Sequence, residues 1–121
     1  VKLMIKKGFI VNGASLLMLG ITFKENCPDI RNTKIVDVIT ELTDYGIKVT
    51  IYDPWANPIE VKHEYGLETF MSLPNHKFNV VVLGVAHKEF KDLNFESLQK
   101  ENSVLFDVKG ILNRENVDGS L

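Results

Sequence analysis

The chain has 121 residues, of which 45% are hydrophobic and 25% charged, with a formal net charge of −2 at pH 7. That is enough for one globular domain with its own core and too little for two. The weak negative charge excludes the broad basic face that duplex nucleic acid or an anionic membrane calls for, so any anion site must be local. No apolar run approaches the roughly 20 residues needed to span a bilayer, and Lys2, Lys6 and Lys7 interrupt the N-terminus too early for a signal peptide. The single cysteine, Cys27, excludes an internal disulfide, and a cytoplasmic protein is the default expectation.

The elements follow in chain order. Residues 1–12, with Leu3, Met4, Ile5, Phe9 and Ile10 among lysines and a stop at Asn12-Gly13, read as the final turns of a helix. Two accounts stay open: a short helix packed on its own sheet, or the tail of a helix from a preceding domain, with the domain proper at 13–121. Ser15 to Ile21 reads as a buried strand and Thr33 to Tyr45 as a helix. Asn32 is its expected N-cap, Ile35, Val38, Ile39 and Leu42 its apolar stripe, and Gly46 its left-handed stop. A second strand, 47–52, ends at Asp53-Pro54. A short helix over 58–65 is closed by Gly66, and 67–75 reads as irregular, a short strand with one helical turn. Phe78 to Val85 reads as a strand, its continuous apolar run Val80-Val81-Val82-Leu83 marking cover on both faces. An amphipathic helix over 92–100 and a last strand over 103–107 complete the pattern. Strand and helix alternate with crossovers long enough for parallel pairing, which gives an α/β fold with a doubly wound parallel sheet.

The segment between the first strand and helix carries the chemistry. It sets Lys24 and Arg31 at the carboxyl end of a strand, where open parallel sheets bind ligands, and before a helix N-terminus, whose unpaired N–H groups favour phosphate. A dinucleotide site of the Rossmann kind would need G-x-G-x-x-G in this turn. Only Gly20 is present, followed by the bulky Ile21 and Phe23, so the sheet is Rossmann-like without the glycine fingerprint. Asp53 stands at the end of the second strand but is followed by proline, which favours a turn role. No pair of histidines or cysteines has metal-ligand spacing, and no metal is expected. His63 and His76 read as surface residues. His87, at the end of the third main strand, is either a ligand contact or a hydrogen-bonded cap, and Cys27 reads as structural or incidental.

Four motifs in order, Gly20-Ile21-Thr22-Phe23-Lys24, Asp29-Ile30-Arg31-Asn32, Val49-Thr50-Ile51-Tyr52-Asp53-Pro54-Trp55 and Phe106-Asp107-Val108-Lys109-Gly110, resemble the C-terminal, UDP-binding domain of the UDP-glucose/GDP-mannose dehydrogenase family. The wording of Leu19 to Asn26 and of Tyr52 to Ala56 is similar to the bacterial branch that oxidises UDP-N-acetylhexosamines for surface polysaccharides, as in Vi-antigen-type enzymes. The resemblance implies a fragment of a three-domain, NAD-dependent 6-dehydrogenase, a homodimer or larger assembly, that takes a sugar C6 alcohol to a carboxylate. Its nucleophilic cysteine and most of its NAD site lie in other domains, so no catalytic residue is expected here. By the same resemblance Phe23 and Lys24 contact the UDP-sugar, Lys109 lies against the uridine nucleotide, and Arg31 reaches the cofactor. Arg31 has a rival role, an ion pair with Asp29 or Asp37 that fixes the loop, and Asp53-Pro54-Trp55 reads as a rigid turn with a packed indole. Two other classes remain: a stand-alone nucleotide-sugar binding module, and a structural domain whose sheet serves assembly.

Overall fold

In the computed structural model, which describes residues 5, 8, 10–109 and 117–120, five parallel strands stand in the order β2-β1-β3-β4-β5. They are β1 (Ser15–Leu19), β2 (Lys48–Tyr52), β3 (Phe78–Leu83), β4 (Gln99–Asp107) and β5 (Gly119–Ser120). The order turns outward in both directions from β1 and β3, so the switch point of the sheet lies between those two strands. The expected helix end at 1–12 falls largely outside the described residues.

Alternation along the strands divides the core in two. Leu16, Met18, Ile51, Val80, Val82 and Val104 face one layer, where Ile39 of helix α1 (Ile35–Asp44) and Val61 of helix α2 (Pro58–Tyr65) pack. Leu17, Leu19, Val81, Leu83 and Leu105 face the other, which Phe90 and Leu98 cover from two 3-10 turns, Lys88–Phe90 and Phe95–Leu98. Both faces of the sheet are thus sealed, as a doubly wound parallel sheet requires.

Local chemistry explains the best-defined boundaries. The Asn57 side chain accepts the Ile59 N–H at 2.9 Å, Pro58 occupies the first turn, and Gly66 at φ +70° ends α2. Gly20, at φ +94°, follows β1 where an added Cβ would lie 2.6 Å from Val85 Cβ. A side chain there is excluded both by backbone conformation and by the neighbouring loop.

Several expectations are corrected. Asn32 is not the cap of α1: it sits in the left-handed region at φ 57°, Lys34 occupies the cap position without a side-chain bond, and Thr33 Oγ1 accepts the Ile35 N–H at 3.3 Å. Val38 lies outside the buried stripe, 42% exposed, and Val36 packs on the core in its place. The helix expected over 92–100 is a 3-10 turn that gives way to β4 at Gln99; Phe95 and Leu98, three apart, satisfy a 3-10 turn as well as an α-helix. No helical turn forms in 67–75, where Phe70 instead bridges to Tyr52. Two-residue β5 carries no periodicity a sequence reading would detect.

Candidate functional site

The carboxyl ends of β1, β2 and β3 are joined by one buried polar cluster centred on Asp53. Its carboxylate is wholly buried and accepts five hydrogen bonds. Oδ2 takes the N–H groups of Ile21 at 2.7 Å and Thr22 at 3.2 Å, and Oδ1 those of Trp55 at 2.7 Å and Ala56 at 3.1 Å. His87 Nε2, also wholly buried, approaches Oδ2 at 3.1 Å. Burial alone pushes this carboxyl up, but the His87 contact and the backbone donors outweigh it and hold the group below the usual carboxylate range.

The donors and acceptors around His87 fix its tautomer. Nδ1 accepts the backbone N–H of Asn26 at 2.9 Å, so the proton of the neutral ring is on Nε2, pointing between Asp53 Oδ2 and Thr22 Oγ1, which is 3.0 Å away. Thr22 sends its own hydroxyl proton to the carbonyl of Lys24 at 3.0 Å. Asn26 Oδ1 in turn accepts the Lys88 N–H at 2.8 Å. The Trp55 indole stacks on the His87 ring, 6.0 Å between centroids, and donates to Glu89 at 2.9 Å. The crevice at the switch point is therefore filled by the chain's own loops.

This cluster holds the segment between β1 and α1 from beneath. Phe23 N–H donates to the Asp29 carbonyl at 2.7 Å, closing the segment on itself, and the Tyr65 hydroxyl of α2 donates to the Ile30 carbonyl at 2.5 Å. Burial pushes the Tyr65 phenol up, with help from Glu64, Asp29 and Asp37, so it stays a donor. What remains outside is the tip. Phe23 is 56% exposed, and Lys24 is exposed beside it.

Arg31 is spoken for locally. Its guanidinium meets Asp29 with two bonds, Nε to Oδ1 at 3.1 Å and Nη2 to Oδ2 at 3.2 Å, and its presence holds the Asp29 carboxyl below the usual range, with Lys24 adding a smaller pull. Both cations are thus within electrostatic reach of one carboxylate. The pair is largely exposed, 82% for the Arg31 side chain, and exposed pairs are weak enough for a ligand to displace. Arg31 thus takes the ion-pair role with Asp29, one of its two expected roles, and its largely exposed guanidinium stays within reach of a ligand. Lys109 is exposed just past β4, and its N–H donates to the buried Asp107 at 3.0 Å.

Asp53 does more than the expected turn: Trp55 packs there as expected, and the carboxylate also holds partners from two other loops. His87 takes the hydrogen-bonded role and is shielded from solvent. Cys27 is a free thiol, partly buried. Among the described residues no group of three or more His, Cys, Asp or Glu could hold a metal ion, and no helix is long and apolar enough to cross a membrane.

The chain is similar to known proteins over nearly all its length. It is 45% identical to the UDP-N-acetyl-D-glucosamine 6-dehydrogenase of Salmonella typhi, over 98% of this chain and 28% of that protein. It is 44% identical to the UDP-N-acetyl-D-glucosamine 6-dehydrogenase of Pseudomonas aeruginosa, over 98% of this chain and 29% of that one. The chain therefore spans somewhat over a quarter of the length of these relatives. The fold matches the crystal structure of an NDP-N-acetyl-D-galactosaminuronic acid dehydrogenase from Methanosarcina mazei Go1 with a TM-score of 0.79 at 21% identity, over 93% of this chain and 24% of that one. Residues 17–114 match the UDP binding domain of the UDP-glucose/GDP-mannose dehydrogenase family, and the chain belongs to that family as this domain.

Proposed function

We propose that the chain is the UDP-sugar-binding domain of an NAD-dependent UDP-N-acetylhexosamine 6-dehydrogenase, one that oxidises the sugar C6 alcohol to a uronic acid for surface polysaccharide. The observation that carries this reading is the rigidly backed tip at the carboxyl end of β1, which presents Phe23 and Lys24 to solvent within a family match of residues 17–114. Lys24 supplies a compact positive charge for the diphosphate or the sugar, Phe23 an apolar surface beside it, and Lys109 a second cation toward the uridine nucleotide. A lysine at 109 gives point-charge contact rather than the two-pronged grip of arginine.

The residues present do not build an NAD site of their own. Asp53, which would have to reach a ribose, is buried with both oxygens engaged, and Gly20 is packed against Val85 where a pyrophosphate would need open backbone. In this reading NAD and the nucleophilic thiol belong to the remainder of a larger, homodimeric or higher-order cytoplasmic enzyme, and Arg31 is presented toward the cofactor from this domain. The work of the present residues is to bind and orient substrate.

Titrating the chain with UDP in a calorimeter tests the proposal. Heat of binding is expected, with affinity about tenfold or more lower in Lys24→Ala, as loss of one charge-assisted hydrogen bond implies. No heat with UDP, or an unchanged affinity in Lys24→Ala, would overturn it. NAD reduction is expected from the intact enzyme with UDP-N-acetylhexosamines and not from the 121-residue chain alone.

A further inference from the structure

We infer that His87 and Asn26 form a latch that sets the aim of the nucleotide-sugar contacts Phe23 and Lys24, making both positioning residues for substrate binding. This rests on the reading of the chain as a UDP-sugar-binding domain and adds residues that touch no ligand. The geometry is reciprocal. His87 Nδ1 accepts the Asn26 N–H at 2.9 Å, and Asn26 Oδ1 accepts the Lys88 N–H at 2.8 Å, so two bonds of opposite sense clamp the β1 segment onto the end of β3. The same histidine lies 3.0 Å from Thr22 Oγ1, whose proton goes to the Lys24 carbonyl. The backbone on either side of Lys24 is therefore fixed through one buried imidazole, itself oriented by Asp53 at 3.1 Å.

Asn26 is suited to this place for a second reason. It stands at φ 54°, a conformation that asparagine, aspartate and glycine tolerate better than other residues. It is exposed, so its cost to the core is small and its conservation of loop shape can be separated from folding. A latch of this kind lowers the entropy lost when ligand orders the tip, which raises affinity without adding a contact.

The test uses UDP binding by the chain, followed by calorimetry, with thermal unfolding measured alongside. Asn26→Gly removes the bond to Lys88 N–H but keeps the backbone conformation, and is expected to weaken UDP binding about three- to tenfold with little change in melting temperature, the size of one lost hydrogen bond. Asn26→Asp keeps an acceptor and restores affinity. His87→Gln places an amide donor near Nε2 for Asp53 but no acceptor for Asn26, and is expected to weaken binding to a similar extent. His87→Asn places an acceptor near Nδ1 and retains affinity even though its loss of the Asp53 contact lowers stability. A Lys24→Ala control marks full loss of the charge contact. If Asn26→Gly and His87→Gln bind UDP as tightly as the parent while Lys24→Ala does not, or if Asn26→Asp is no better than Asn26→Gly, the latch is refuted and the binding site stands. If the parent chain itself fails to bind UDP, the reading beneath it falls and takes the latch with it.

Discussion

Replacing Asp53 by asparagine isolates the cluster that joins the three strand ends. Asparagine has nearly the same shape but one oxygen instead of two. With its amide oxygen in place of Oδ2 it keeps the bonds from Ile21, Thr22 and His87, and its NH2 group then faces the N–H groups of Trp55 and Ala56, at 2.7 and 3.1 Å in the parent. The opposite orientation strands three donors rather than two. In the better case the buried Ala56 N–H and the partly buried Trp55 N–H lose their acceptor, at about 1–3 kcal/mol for the first and toward the low end of that range for the second, so roughly 2–4 kcal/mol is expected. Against a total stability of about 5–15 kcal/mol for a domain of this kind the loss is large. It corresponds to a fall in melting temperature on the order of 10 °C. Urea titration followed by circular dichroism measures it, with the slope m unchanged if only the cluster is affected. A variant within about 1 kcal/mol of the parent would refute the reasoning, because it would mean that the two lost contacts, from Trp55 and Ala56, contribute little beyond what water supplies to the unfolded chain.

Two further perturbations bear on the same region. Acid should weaken the fold through Asp53: its folded-state value lies below the unfolded one, so its contribution is complete above the unfolded value of ~3.9 and is lost as pH falls through the lower, folded value. The gap between the urea midpoints of the parent and of Asp53→Asn should narrow as pH falls from ~6 through the unfolded value of ~3.9; parallel curves would contradict the assignment. Gly20→Ala should cost roughly 2–5 kcal/mol, from φ +94° and a Cβ 2.6 Å from Val85 Cβ together, read as a lowered melting temperature.

What the sequence made legible follows the range of the interactions. Helix α2 is readable to the residue because its start signal, Asn57-Pro58, and its stop, Gly66, act within one turn. The strands β1 and β3 are readable because their apolar runs need cover on both faces. The region 92–98 is not, since a spacing of three suits two kinds of helix and the choice depends on where β4 begins. The site divides in the same way. The exposed tip with Phe23 and Lys24, and the Arg31–Asp29 pair two residues apart, can be inferred from neighbouring letters. The meeting of Asp53 with Ile21 and His87 spans 32 and 34 positions, and the bond from Asn26 to His87 spans 61. Only the order of the strands brings those partners together. A sequence reading can identify a turn at Asp53 and a cap at His87, but not that each completes the other.

Trp55 is the chain's single tryptophan, and it lies against the imidazole of His87, beneath the ammonium of Lys88 at 5.6 Å, with its indole N–H on Glu89. Its ultraviolet emission is therefore an intrinsic, label-free optical gauge of this one corner. Any movement that parts the ring from its imidazole neighbour changes the quenching and polarity the indole senses, so loosening of the Asp53–His87 cluster can be followed in a cuvette in real time.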